Sequence, residues 1–190
     1  MSAWTALLEQ CRVVFRAPSF AIFTTLLTGW VCAPGRRTIT GMITVAEPAG
    51  GRAHDAYHRF VREGAWTMSA LWRVLAVYAI GRLAPTGVVD LDCDDTLFHK
   101  AGRQVAGAGS FRDAVRSTIG RVVHALGLNL VVVTLVVRPP WGGQPIALPV
   151  NARLHKKHDT TTTTEHAAAM ITELADWLPE RAFHLCADGA

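Results

Sequence analysis

The chain has 190 residues, which is long enough to bury a hydrophobic core within one ordinary domain. Half of the residues are hydrophobic and 18% are charged, and this composition excludes a disordered polyelectrolyte. The net charge of +4 and the pI near 9.2 are compatible with a polyanionic partner.

The cysteine pattern and the apolar stretches indicate a cytoplasmic protein. The four cysteines are Cys11, Cys32, Cys93 and Cys186. None belongs to a C-x-x-C pair, so we expect buried free thiols and neither a disulfide framework nor a zinc site. Residues 1–10 lack the basic and apolar segments of a secretory signal. Residues 17–35 carry no charge, but prolines, a glycine and hydroxyl residues interrupt them, which favours a core helix over a membrane span.

Residues 1–84 are predicted to form a helical region, which is a candidate for binding DNA. Apolar periodicity predicts helices over 4–15, 20–31 and 65–83, and a basic helix is predicted over 53–63. Arg36 and Arg37 precede a further short helix, and a Pro/Gly-rich break separates it from the basic helix. Two basic helices across a turn fit a helix-turn-helix, and they fit equally well the solvated faces of a helical bundle.

Residues 85–190 are predicted to form a mixed sheet. Residues 88–94 alternate apolar and acidic side chains, as in a half-buried strand. A basic glycine-rich connection follows, and then residues 128–138 and 146–154 form a hairpin. Thr162 and Glu165 have the spacing of a capping box at the start of a helix that runs to Trp177, and the last strand covers 183–187. The predicted fold is α+β, with a partial ribonuclease H-like sheet of order β-β-β-α-β.

In such a sheet the fourth strand lies beside the first and parallel to it. Asp94 and Asp188 are then expected to emerge next to each other at the rim of the sheet. Converging carboxylates repel each other unless a cation neutralises them, and oxygen ligands suit Mg²⁺ or Mn²⁺. Asp95 is a close competitor of Asp94, because a one-residue change of register exchanges the two faces of the strand.

Basic charge is concentrated after this acidic strand. Residues 97–158 contain nine Lys or Arg residues and one acid, Asp113. The candidate phosphate-contacting cations are Lys100, Arg103, Arg112, Arg116 and Arg121. Each of them taken singly is equally compatible with a solvated surface, so the excess of eight charges is the stronger argument.

Three stretches in the same order resemble insertion-sequence transposases of the DDE superfamily. The first, residues 94–102, has an aspartate at a strand end followed by threonine and Lys-x-Gly. The second, residues 148–154, reads Leu-Pro-Val-Asn-Ala-Arg-Leu. The third joins Trp-Leu-Pro at 177–179 to Ala-Asp-Gly at 187–189.

This resemblance implies the chemistry of the candidate residues. It implies that Asp94, with Asp95 as its competitor, and Asp188 are the first two metal-binding catalytic aspartates. It also implies hydrolysis of a phosphodiester at a transposon end, strand transfer into double-stranded DNA, and self-association in a paired-end complex. The third acid of the family, a glutamate beyond the second aspartate, has no counterpart before Ala190. We therefore expect a transposase fragment, with an inert DNA-binding remnant as the alternative.

A haloacid dehalogenase-like phosphatase is the main rival interpretation. Residues 92–97 fit that family's D-x-D-x-T-L start, with Asp92 as nucleophile and Asp94 as general acid/base. The helical region before this motif and the hairpin after it are atypical of a doubly wound α/β enzyme. Hydrolysis of small phosphate esters distinguishes the phosphatase from the transposase.

Overall fold

The computed structural model describes residues 2–102 and 104–187. Across these two ranges, no helix is both long and apolar enough to cross a lipid bilayer. The chain forms two compact units, residues 1–74 and 75–190, and the division falls inside one helix, α5 (Met68–Leu83). A domain boundary at residues 84 and 85 therefore stays a prediction.

The first unit is helical, as predicted. It contains α1 (Ala3–Gln10), a 3₁₀ turn (Cys11–Val14), α2 (Ala17–Cys32), α3 (Ile39–Ala46) and α4 (His54–Glu63). The single helix predicted over 4–15 is wrong in its second half, because the chain changes there to the tighter 3₁₀ geometry.

The core of this unit brings together α2, α3 and α4. Its buried members are Leu26, Met42, Tyr57 and Phe60. Gly29 on α2 touches the backbone of Met42, and a side chain at this glycine would collide with it. The close approach of α2 and α3 therefore depends on glycine at this point.

The second unit is built on one mixed sheet. Its strands are β1 (Val89–His99), β2 (Gly109–Arg112), β3 (His124–Val137), β4 (Ile146–His155) and β5 (Phe183–Ala187), and α6 (Thr163–Trp177) precedes β5. The antiparallel partner of β1 is β3, and its parallel partner on the other edge is β5. The strand after α6, which was predicted to lie beside the first strand and parallel to it, is β5, and this prediction is confirmed. The predicted α+β class is confirmed as well.

The sheet also contains a strand that the sequence did not predict. Gly109–Arg112 was assigned to the glycine-rich connection, but it pairs with the first residues of β3. Strand β4 pairs with the later residues of β3, so β2 and β4 follow one another along the same edge. The long antiparallel pairing of β1 does not fit a doubly wound phosphatase domain, in which neighbouring strands are parallel.

The two faces of β1 have opposite character. On the core face, Val89, Leu91 and Cys93 are buried together with residues of β3, β4, α5 and α6. On the acidic face, Asp90, Asp92 and Asp94 are exposed. The period of two along a strand produces this separation, as the sequence predicted.

The helix α6 covers the core face. Thr162 and Glu165 form the predicted capping box at its first turn, and Met170 and Leu174 are fully buried in the core. Asn151 and Arg153 on β4 donate hydrogen bonds of 2.9 and 2.8 Å to the two carboxylate oxygens of Glu173. This polar contact fixes α6 to the strand that precedes it.

The prediction that the cysteines are buried is wrong for three of the four. All four are free, as expected, but only Cys93 is buried. Cys32 and Cys186 are exposed, and Cys11 is half-buried. An apolar sequence neighbourhood therefore did not determine burial of the thiols.

Candidate functional site

The acidic residues of β1 divide between the two faces of the sheet. Asp94 continues the acidic face after Asp90 and Asp92, whereas Asp95 has the parity of the core face. Both Asp94 and Asp95 are exposed, because the strand there extends beyond the closely packed core. Their carboxylates therefore project from opposite sides of one strand.

Asp95 is held by a side chain of the neighbouring strand. The amide nitrogen Nδ2 of Asn129 donates a hydrogen bond of 3.0 Å to Oδ2 of Asp95. Asn129 is 5% exposed, and its Oδ1 atom is buried with no hydrogen-bond partner in the described part of the chain. A buried oxygen without a hydrogen-bond partner is costly. The Oδ1 atom of Asn129 is therefore a further oxygen beside Asp95 that is free to accept a hydrogen bond or to ligate a cation.

Asp94 and Asp90 have different partners on the acidic face. The backbone N–H of Asp95 donates to Oδ1 of Asp94 at 2.8 Å. The Nδ1 atom of His184 on β5 lies 3.1 Å from Oδ1 of Asp90. The histidine contact shows that even-numbered residues of β5 share the face of the aspartates.

The structure describes the parallel pairing of β1 and β5 as far as the residues that immediately precede the predicted metal ligands Asp94 and Asp188. Asp92 lies beside Cys186, and Cys93 lies beside Ala187. Asp188 is outside the described residues, so its position relative to Asp94 stays a prediction.

The negative charge of this strand affects its one thiol. Burial raises the pKa of Cys93, and the nearby carboxylates of Asp92, Asp94 and Asp95 raise it further. The thiol therefore stays protonated at neutral pH and presents no thiolate to a soft metal.

The donor set suits a hard cation. Carboxylate oxygens at an exposed strand end are the ligands that Mg²⁺ and Mn²⁺ prefer. Within residues 2–102 and 104–187, no group of three metal-ligating side chains is close enough to hold an ion. Each of Asp94 and Asp95 therefore fits such a metal chemically, but, since they lie on opposite sides of the strand, each needs ligands from elsewhere to complete a site.

The basic candidates gather beyond the carboxyl end of β1. Lys100 follows that strand, Arg112 ends β2, and Arg116 and Arg121 lie in the connection from β2 to β3. These four side chains are exposed. Arg103 is outside the described residues. The structure thus brings the described candidates to one end of the sheet, and their contact with DNA stays a prediction.

A buried carboxylate anchors this end of the sheet, and it is not among the site residues predicted from the sequence. Asp113 is 3% exposed and accepts contacts from Nε2 of His99 at 2.8 Å and from the backbone N–H of Arg116 at 3.1 Å. Burial raises its pKa, but the Arg116 N–H, the His99 ring and the Arg116 charge outweigh burial and hold the pKa below its usual range. Its position as the one acid within a basic segment was the available signal.

Comparison with known proteins gives one family. A family model described as DDE superfamily endonuclease matches residues 14–190. This range contains most of the helical unit and all of the strands, together with Asp94, Asp95 and Asp188. No curated protein matches the chain.

Proposed function

We propose, since this chain belongs to the DDE superfamily of endonucleases, that it supplies part of the catalytic domain of a DNA transposase. In this proposal Asp94 and Asp188 bind Mg²⁺ or Mn²⁺, and the substrate is the phosphodiester backbone at a transposon end. The supporting observation is the parallel pairing of β1 and β5. Its last described pair is Cys93 and Ala187, and in the sequence each of these two residues is followed by an aspartate.

Strand parity favours Asp94 over Asp95 as the first ligand. Asp90 and Asp92 lie beside His184 and Cys186, which are two-residue steps along the acidic face of β5. In the sequence, Asp94 comes two residues after Asp92, and Asp188 comes two residues after Cys186. Asp95 points to the opposite side and is already bound by Asn129. We therefore assign Asp95 a positioning role through its contact with Asn129.

The carboxylates of this chain would hold a divalent cation against a DNA phosphate. When bound, such ions stabilise the attacking and leaving oxygens of a phosphodiester displacement. The protein's own contribution is to keep two like charges close together on adjacent strands, which is unfavourable until a cation neutralises them. The strands of the sheet fix that spacing, and so the ligands are preorganised before metal and DNA arrive.

The basic end of the sheet would bind the DNA backbone. The exposed cations Lys100, Arg112, Arg116 and Arg121, with Arg103 from the same segment, would neutralise phosphates. This contribution is independent of base sequence, and it orients the duplex relative to the carboxylates. Self-association in a paired-end complex is part of the same proposal.

Metal binding tests the proposed site. Calorimetry with Mn²⁺ is expected to show binding to the wild-type chain that Asp94→Asn and Asp188→Asn each weaken by about tenfold or more. Asp90→Asn is the matched control, since it removes a carboxylate from the same face four residues before Asp94 and should leave the affinity unchanged. Equal affinity of all three variants and the wild type would contradict the assignment.

A small phosphate ester separates the proposal from the phosphatase interpretation. With p-nitrophenyl phosphate and Mg²⁺, the chain is expected to release no nitrophenol above the rate in buffer. Hydrolysis that disappears in Asp92→Asn would overturn the transposase proposal in favour of a phosphatase that uses Asp92 as nucleophile.

A further inference from the structure

The connection from β2 to β3, residues 113–123, exposes apolar side chains to an unusual degree. Ile119 is 111% exposed and Val115 is 96% exposed, so neither makes any packing contact that shields it from water. Single exposed apolar residues are ordinary on protein surfaces. Two fully exposed aliphatic side chains in one short loop are typical of a contact surface for a partner.

This loop, named here the tip loop, is held by an internal hydrogen-bond network. The backbone N–H of Asp113 donates to the carbonyl of Val123, and the Ser117 hydroxyl accepts the Val123 N–H. Thr118 and Arg121 exchange two backbone hydrogen bonds of 2.9 and 3.1 Å. Ile119 therefore sits in the two-residue turn that these bonds close. The hydrogen bonds of the turn therefore hold Ile119 in a defined position in which its side chain is exposed to solvent.

The charges around the exposed side chains favour an anionic partner. Arg112, Arg116 and Arg121 are exposed, whereas the one acid, Asp113, is buried against His99 and Arg116. The loop therefore presents aliphatic groups surrounded by positive charge. Duplex DNA has the complementary arrangement, because its stacked bases have apolar faces and are flanked by negatively charged phosphates.

The position of the loop agrees with that partner. His99, whose ring contacts Asp113, lies five residues after Asp94 on β1. At about 3.3 Å per strand residue the separation is roughly 17 Å. This length corresponds to about five base-pair steps of a duplex. A duplex bound at the carboxylates therefore extends far enough to meet the tip loop.

We infer that the tip loop is an apolar wedge, in which Ile119 inserts between base pairs of duplex DNA while Arg116 and Arg121 bind the flanking phosphates. Proteins that bend or unstack DNA use inserted aliphatic side chains in this way. The inference rests on the proposed function for its substrate, and it adds a local unstacking of the duplex at a distance from the metal site.

A duplex with 2-aminopurine at successive positions tests the inference, because this base fluoresces more strongly when it is unstacked. The wild-type chain is expected to raise the emission at one position or a few adjacent ones. Ile119→Ser should abolish that rise and weaken binding, measured by anisotropy, by about tenfold, the loss expected when one aliphatic side chain no longer leaves water. Val88→Ser is the matched control, since Val88 is an aliphatic residue 57% exposed outside the loop.

Salt dependence separates the apolar contribution from the charged one. Arg121→Gln is expected to lower the slope of log affinity against log salt by about one, whereas Ile119→Ser should leave the slope unchanged. Thermal melting of both variants should match the wild type, because no main-chain contact of the loop depends on these side chains.

Several results would overturn the wedge. They are an unchanged 2-aminopurine signal in Ile119→Ser, a wild-type chain that binds no duplex, and binding to anionic phospholipid vesicles that requires Ile119 while DNA binding does not. Loss of the wedge with intact Mn²⁺ binding at Asp94 would leave the proposed function standing. Loss of Mn²⁺ binding with an Ile119-dependent signal would instead contradict the metal site alone.

Discussion

The two faces of β1 show how one strand can serve both the core and the candidate site. Leu91 is 1% exposed and packs in the core, while its neighbour Asp92 is exposed beside Cys186. Both residues lie between the same two strands, β3 and β5, so the difference comes from the alternation of side chains along the strand. The core face fixes the position of the strand, and the acidic face is then free to carry charges that would destabilise the core.

Truncating the core face is expected to give the largest effect. Leu91→Ala leaves a cavity among fully buried side chains and should lower the free energy of unfolding by about 2–5 kcal/mol. Asp92→Ala, one residue away on the acidic face, should change it by no more than about 0.5 kcal/mol. Urea denaturation measures both. A loss in Asp92→Ala equal to that in Leu91→Ala would contradict the division into two faces.

The polar contact beneath α6 should give an intermediate effect. Asn151→Ala removes the Nδ2 donor to Glu173 from a buried position and is expected to cost about 1–3 kcal/mol. Thr172→Ala, which removes an exposed hydroxyl on the same helix, is the control. If the two variants unfold at the same urea concentration, the contact does not stabilise the packing of α6.

Asp113 differs from the exposed carboxylates of β1 because it is buried and paired with His99. Because its pKa is lowered in the folded state, its stabilising contribution is present above the unfolded pKa and is lost as the pH falls through the folded pKa. Asp113→Asn should therefore melt below the wild type at neutral pH, with the difference shrinking in acid. A constant difference across the titration would exclude an ionised Asp113 as its cause.

The smallest change expected is in reactivity, with the fold intact. Maleimide should modify Cys186 at least about tenfold faster than Cys93, because Cys93 is buried and its pKa is raised. Peptide mass spectrometry after timed labelling distinguishes the two sites. Equal rates would mean that the core face of β1 is open to solvent.

Much of the sheet could be predicted because its signals are local. The alternation in Val89–His99, the hairpin of β3 and β4 and the capping box at Thr162 each lie within a few neighbouring residues. Strand β2 is not predicted because four residues are too short for their alternation to be a signal, and they depend on pairing with β3.

The candidate site was predictable in residue type and less so in its contacts. The sequence identifies Asp94 and Asp95 together, but only the burial of Leu91 and Cys93 in the core shows that Asp94 continues the acidic face. The buried position of Asn129 beside Asp95 depends on a pairing across 34 residues, and no local pattern encodes it. Burial of Asp113 likewise follows from the folded connection between β2 and β3.

In the proposed function, acids far apart in sequence bind one cation at adjacent strand ends. Anomalous diffraction from crystals grown with Mn²⁺ locates such an ion. We expect an anomalous peak bound by carboxylate oxygens of both Asp94 and Asp188. A peak bound by other side chains, or an Asp188 carboxylate too far from Asp94 to share one ion, would contradict it.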